Sequence, residues 1–412
     1  MDVVHEACAG LDVHKRTVVA CVLRSGPGGT VVQKVETFGT MTRDLEALAA
    51  WLAAEGCTDV AMEATGAYWK PVSNVLEASE GFTLLVANAE HLRAVPGRKT
   101  DVKDAAWLAE LLRHGLLRAS CIPDRQQRER RELTRYRTAL IRERAAEVNR
   151  LQQTLEAANI KLAAVLTDVT GVSGQRILAA LTEGKTDPEQ LADLAHWRLQ
   201  KKRDALEQAV VGKLEGALRF VVQRQLEHLR DLDRLIEQCD AEVAERLRPF
   251  AAELARLRTI PGLGPRTAEV ILAEVGPDLA RFATAGHLAA WAGMCPGNRA
   301  SGGKRYPARA RKGSPWLRAA LAEAAWAASH CKQGYLPAQF RRLAARRGKK
   351  RAIVAVGHSI LVIVYHLLTR GTTFEDLGGL YFDERHPDRV RAAAVRRIEA
   401  LGYQVQLTPK AS

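Results

Sequence analysis

Four carboxylates in the first quarter of the chain have the type and placement of a metal-dependent phosphoryl-transfer site: Asp12, Glu63, Asp101 and Asp104. Such chemistry needs several hard oxygen ligands converging on ions about 3.5–4 Å apart. One ion activates the attacking oxygen and the other stabilises the leaving one. Asp12 lies in Gly10-Leu-Asp12-Val-His14, at the end of an apolar strand-like run, where a charge is costly unless it faces a cleft or a metal. Glu63 follows the run Thr58 to Met62, again at the C-terminal edge of a strand. Asp101 and Asp104 stand three apart at the start of a helical pattern, so they project from neighbouring positions on one face. Each also has a structural reading. Aspartates in a first turn meet the helix dipole favourably with Thr100 as N-cap, and Glu63 can serve the helix that begins at Tyr68. Together they are read as one site for Mg²⁺, with Mn²⁺ the other hard ion that suits oxygen ligands.

A second candidate for chemistry is a serine. The segment Pro296 to Arg351 holds 15 Lys/Arg against one acid, Glu323, while the remaining 46 basic and 46 acidic residues cancel, so the formal charge of +14 is concentrated there. A charge so placed suggests a polyanion-facing surface, the plain alternative being a solvated face. Two serines lie within it. Ser314 precedes Pro315 and a helical run to Ser329, which is the pattern of an N-cap with Pro at the first helical position. Ser301, in Asn-Arg-Ala-Ser301-Gly-Gly-Lys304, precedes two glycines among Arg299, Lys304, Arg305, Arg309, Arg311 and Lys312. A serine exposed on such a loop could attack a phosphodiester if its hydroxyl were activated, and Ser-Gly-Gly is also ordinary loop chemistry. Upstream, Pro261-Gly262-Leu-Gly264 between two helical runs reads as a helix-hairpin-helix. Its Gly262 and Gly264 would offer backbone N–H groups, and Arg266 a cation, to a phosphate. The same turn also fits a plain αα-hairpin.

Several elements must position these residues. Runs at Ala7 to Val13, Arg16 to Arg24 and Thr30 to Phe38 predict three opening strands, with a Ser25-Gly-Pro-Gly-Gly turn before the third. Helix over Thr42 to Ala54, strand over Thr58 to Met62, helix over Tyr68 to Ala78, strand over Phe82 to Ala87 and helix over Asp101 to Gly115 complete a βββαβαβα domain. The 47 residues from Asp124 to Thr170 contain no Gly or Pro, and Ala217 to Arg248 repeats this, each with apolar residues three or four apart. They predict long helices able to pair as an antiparallel coiled coil or to serve an oligomer. Gly171 to Gly216 between them is helix-rich and carries no readable role. The fold class expected is therefore α/β plus α. The segments are 1–120 catalytic, 121–250 helical, 251–335 C-terminal with the serine loop, and 336–412 a basic helical tail.

Composition narrows the classes further. Seven cysteines, at 8, 21, 57, 121, 239, 295 and 331, make an odd set without C-x-x-C spacing, which supports neither a disulfide framework nor structural zinc and suits a reducing cytoplasm. The N-terminus lacks the basic and apolar regions of a secretory signal. The apolar stretch Ala352 to Leu368 is about 17 residues, short of the ~20 of a membrane span, and reads as a buried helix.

Taken together, Leu11-Asp12-Val-His-Lys15, Met62-Glu63-Ala-Thr-Gly66 and Lys99-Thr-Asp101-Val-Lys-Asp104-Ala105 resemble the DEDD motif of insertion-sequence recombinases of the one-ten group. Ile260-Pro-Gly-Leu-Gly264, Ala290-Trp-Ala-Gly-Met-Cys-Pro296 and Ala300-Ser301-Gly302 resemble that family's C-terminal transposase domain. The resemblance spans most of residues 5–330. It implies a RuvC-like, ribonuclease-H-type N-terminal domain, a coiled-coil middle and a serine that becomes joined to DNA. Asp12, Glu63, Asp101 and Asp104 would then bind Mg²⁺, and Ser301 would be the nucleophile. The partners implied are donor and target DNA, a non-coding bridge or seeker RNA, and further copies of the chain, as a dimer assembling to a tetramer whose sites are shared between protomers. Two other functions fit the residues: a metal-dependent nuclease or junction resolvase that uses water, and a non-catalytic nucleic-acid scaffold. The segment Gly171 to Gly216, the tail after Leu336 and the basic run Arg341 to Arg351 receive no role from the resemblance.

Overall fold

The computed structural model describes residues 2–26, 28, 30–64, 66–87, 101–117, 120, 122–296, 300–301, 303–305, 313–385 and 387–408, with the backbone alone for 101–103, 300, 301 and 305. The chain divides into two compact units, Met1–Arg125 and Gln126–Ser412.

The first unit runs β1 (Ala7–Val13), β2 (Thr17–Ser25), β3 (Val31–Gly39), α1 (Thr42–Ala54), β4 (Asp59–Glu63), α2 (Trp69–Ala78), β5 (Thr83–Ala87) and α3 (Asp101–Arg113). Among the described residues this is the order that the residue pattern predicts. The sheet order is β3-β2-β1-β4-β5, with β1 antiparallel to β2 and parallel to β4. Such a mixed α/β sheet is consistent with the RuvC-like domain that the resemblance implies. β1 is buried on both faces, which is why it reads as an almost unbroken apolar run. Ala9, Leu11 and Val13 pack with Val60 and Met62 against Leu45, Leu48 and Leu52 of α1 and Val72 and Leu76 of α2. On the other face Cys8 and Ala61 meet Ala105, Ala109 and Leu112 of α3. Each large aliphatic side chain so buried stabilises the fold by about 1.5–3 kcal/mol. Burial pushes the Cys8 thiol up to about 12 and those of Cys21 and Cys57 up to about 11, so all three stay protonated and unreactive at neutral pH.

The second unit is helical. α4 (Arg125–Ala157) precedes α5 (Leu162–Val165), α6 (Val172–Thr182), α7 (Pro188–Asp193), a 3₁₀ turn at Trp197–Lys202, α8 (Arg203–Ala209) and the long α9 (Gly216–Leu247). α4 and α9 run antiparallel: Arg137 bonds Asp240 at 3.1 Å, Arg144 bonds Asp233, and Leu140 packs with Leu232 and Ile236. Beyond those contacts, Leu151 and Leu155 of α4 and Val222 and Leu229 of α9 share a core with Ile177, Leu178, Leu191 and Leu206. Residues 171–216 therefore supply the apolar surface that the ends of the two long helices need.

The chain continues through a 3₁₀ turn at Arg248–Phe250 into α10 (Ala251–Arg258), α11 (Pro265–Val275), α12 (Ala285–Trp291) and a hairpin of β6 (Ala300–Ser301) and β7 (Lys304–Arg305). It ends with α13 (Pro315–Ser329), α14 (Tyr335–Arg347), α15 (Lys349–Arg370), α16 (Tyr381–Glu384) and α17 (Pro387–Glu399). By length and composition α15 could cross a membrane. Its stripe of Ala352, Val356, Ile360, Val364 and Leu367 is buried, however, and the helix packs on α12, α13 and α14 as a core helix does.

Candidate active site

Backbone pairing places the first two carboxylates. The parallel register sets Cys8 opposite Asp59 and Leu11 opposite Met62, and one further step sets Asp12 beside Glu63 at the C-terminal ends of adjacent strands. Side chains alternate along a strand, so Asp12 lies on the face of Cys8 and Gly10, and Glu63 on the face of Ala61. Both belong to the face that packs on α3. Gly10 makes that packing possible. A Cβ there would stand 2.2 Å from the Ala105 carbonyl oxygen and 2.4 Å from the Ala109 nitrogen, so only glycine lets α3 lie this close to the sheet.

The direction of α3 brings in the other two. At its C-terminal end the Arg113 carbonyl accepts from the Val4 and His5 N–H groups at 2.9 and 3.2 Å, while Ala109 lies at Cys8 and Ala105 at Gly10. The helix thus runs antiparallel to β1. Its first turn, with Asp101 and Asp104, falls at the end of the sheet that carries Asp12 and Glu63. Asp12, Glu63 and Asp104 are each partly buried. The His14 ring Nε2 is 3.0 Å from Asp12 Oδ2, and the His14 N–H donates to the Thr17 carbonyl at 2.9 Å, closing the turn from β1 to β2. The donor set is all carboxylate, the chemistry that suits a hard divalent ion. Among the described residues no three His, Cys, Asp or Glu side chains are grouped as a ready metal cage, and the side chain of Asp101 and the N-cap residue Thr100 lie outside that description.

Ser301 belongs to the second unit. Its backbone pairs antiparallel with Lys304, Ala300 pairs with Arg305, and Gly303 turns with φ +75°, so Ser301 occupies a corner of a two-residue hairpin. Lys304 is exposed. The side chain of Arg305, and Arg299, Arg309, Arg311 and Lys312 altogether, lie outside the described residues. The loop that carries the hairpin is closed at its base. Met294 before it is buried, Cys295 Sγ lies 3.8 Å from His358 Nδ1, and Gly313 after it is so close to Ala292 that a Cβ would stand 2.2 Å from the Ala292 oxygen.

Ser314 is the N-cap that the pattern predicts: its Oγ accepts from the Leu317 N–H at 3.3 Å with Pro315 at the first helical position. The same hydroxyl donates to Glu274 Oε2 at 3.0 Å. Sequence reasoning missed Glu274. Fully buried, it is bound by Arg135 Nε at 2.7 Å and Nη2 at 3.0 Å, while Arg131 and Gln127 cap the carbonyls at the end of α11. One buried carboxylate therefore ties the end of the serine loop to α4. The only signal was an acid on an otherwise buried apolar stripe of α11.

The turn at Pro261 joins α10 and α11 with Gly264 as an exposed N-cap. Gly262 has φ +89°, and a Cβ there would stand 2.5 Å from the Ala324 oxygen of α13, so close packing already requires this glycine. Arg266 is bonded to Asp240.

Two family models match the chain in order. A transposase model of the DEDD, IS110 type covers residues 9–160, the stretch with all four carboxylates, and a model described as the IS116/IS110/IS902 transposase family covers 254–341, the stretch with Ser301. The chain belongs to the IS110 family of insertion-sequence transposases. It is similar to a "Probable family 20 transposase" of Pseudomonas aeruginosa, 26% identical over 322 residues, which are 76% of this transposase and 85% of that protein. It is 27% identical over 298 residues to the 43.6 kDa protein of insertion element IS110 from Streptomyces coelicolor, covering 68% of this chain and 73% of the relative. It is 33% identical over 255 residues to the 42 kDa protein of IS900 from Mycobacterium paratuberculosis, covering 53% and 61%. Neither model covers residues 161–253 or the chain after 341.

Proposed function

We propose that this transposase recombines DNA through a serine-linked intermediate, with Asp12, Glu63, Asp101 and Asp104 holding the metal and Ser301 acting as nucleophile. The observation that supports the reading is the register that sets Asp12 beside Glu63 at the C-terminal ends of adjacent strands, with Ser301 at the corner of a hairpin in a basic loop of the same chain. Mg²⁺ or Mn²⁺ held by those carboxylates would polarise phosphate oxygens and neutralise developing charge. Ser301 Oγ attacks a DNA phosphorus, forming an O–P bond and giving its proton to solvent. The P–O bond to one deoxyribose breaks, and the departing oxygen takes up a proton. Attack by a hydroxyl of the incoming strand reverses these changes and joins it, so no bond energy is lost to hydrolysis. Lys304 and its neighbouring cations hold the phosphodiester backbone, and the turn at Gly262 and Gly264 with Arg266 adds a phosphate contact.

The resemblance extends the reading to selection of donor and target DNA by a bridge RNA. It also extends it to a dimer that becomes a tetramer, where α4 and α9 serve as a coiled coil and the serine of one protomer completes the carboxylate site of another. The buried, protonated thiols of Cys8, Cys21 and Cys57 suit a reducing cytoplasm. A second reading, hydrolysis by water, is favoured by the fact that the carboxylates share one unit and Ser301 belongs to the other. Incubation with insertion-junction DNA and Mg²⁺ separates the two. A protein–DNA adduct that survives denaturant supports the serine route, and free ends without an adduct support hydrolysis.

A further inference from the structure

The α14–α15 corner carries charge that the reading above does not use. Arg346, Arg347, Lys349, Lys350 and Arg351 flank the single residue Gly348, whose φ of +81° turns one helix into the next, and all five are exposed. Among the described residues none of the five forms an ion pair; nearby Arg342 meets Asp383 at 3.7 Å. No Asp or Glu occurs between Glu323 and Glu375, so the surrounding sequence does not offset this charge. The corner lies beyond residue 341, outside both family matches.

Contacts along α15 fix where the corner stands. Going from its N-terminus to its C-terminus, Gly357 and His358 lie at Met294 and Cys295, the Tyr365 hydroxyl donates to the Phe282 carbonyl at 2.9 Å, and Phe374 just beyond the helix bonds Thr259 at 2.9 Å. The basic end of α15 is therefore the end beside which the serine loop departs. Lys349 to Gly357 is eight residues, an axial rise of about 12 Å. That separation is well within the ~34 Å of one DNA turn.

We infer that the Arg346–Arg351 corner is a backbone clamp for duplex DNA flanking the phosphate engaged by the serine loop. Arg341 to Arg351 contains no aromatic residue, so it has no platform for stacking unpaired bases, and its chemistry is that of phosphate neutralisation. Duplex DNA is the occupant because the family acts on DNA; the inference rests on that reading.

The test compares the full chain with its Arg346→Gln/Arg347→Gln/Lys349→Gln/Lys350→Gln variant in binding duplex DNA across a salt series without divalent metal, so binding is read independently of strand cleavage. With about 0.9 in slope per phosphate contact, the slope of log affinity against log salt should fall by about three to four, and affinity at about 150 mM salt by tenfold or more. A Lys201→Gln/Lys213→Gln control should leave the slope unchanged. An unchanged slope in the corner variant, an equal loss per charge in the control, or a loss confined to duplex RNA of the same sequence overturns the clamp. Should the fourfold variant fold poorly, Arg347→Gln and Lys350→Gln singly should each lower the slope by about one.

Discussion

Asp12 and Glu63 are held by hydrogen-bonded parallel strands under a helix that Gly10 admits to within contact of the sheet, whereas Ser301 sits in a two-residue hairpin on a loop anchored at its base. The first arrangement is rigid because each carboxylate hangs from a strand buried on both sides. The second is held at its base: Gly313 lies against Ala292, and Ser314 is tied through Glu274 to Arg135. The difference suits the chemistry proposed for each. Metal ligands must converge within tenths of an ångström, while Ser301 must reach one phosphorus, from which the hydroxyl of an incoming strand later displaces it.

Removing a carboxylate from the rigid half should have the largest effect. Asp12→Asn is expected to lower Mg²⁺-dependent strand cleavage by at least about a thousandfold, since metal stabilisation is worth several kcal/mol. The melting temperature should hold, and a retained rate would detach Asp12 from the chemistry. In the other half the anchor matters more than the loop. Glu274→Ala leaves Arg135 without its buried partner and should destabilise the second unit by about 3–5 kcal/mol in denaturant unfolding, with the first unit unaffected. Gly10→Ala drives a Cβ into backbone atoms of α3 and should cost the first unit about 1–3 kcal/mol. Hydrogen exchange in α3 locates the damage, and unchanged protection there would contradict the close packing. The smallest effect separates the two serines. Ser314→Ala loses both the N-cap and the hydroxyl donated to buried Glu274, and should cost about 1–2 kcal/mol yet keep covalent attachment to DNA, unlike Ser301→Ala.

What could be read from the sequence divides along the same line. β1 to β5 and α1 to α3 were legible because alternation and β-branched runs are local, and Ser314 was legible because a cap involves only its own first turn. The carboxylates stood out because a charge at the end of an apolar strand is costly. Gly10 and Glu274 were not legible, since each depends on a distant partner: α3 lies about a hundred residues from β1, and Arg135 is 139 residues from Glu274. The role of residues 171–216 was not legible because it lies in the core that they build with both flanking helices. Gly262 read as a turn glycine, but the helix that forbids its Cβ, α13, begins some fifty residues later.

The central claim is that the serine on the anchored loop, and not water, attacks DNA. Its most direct measurement is denaturing gel analysis of wild type, Ser301→Ala and Asp12→Asn after incubation with labelled junction DNA and Mg²⁺. The account expects a denaturant-resistant adduct in wild type alone, with the label recovered on a peptide containing Ser301. An adduct that persists in Ser301→Ala, or full strand exchange by that variant, would contradict it.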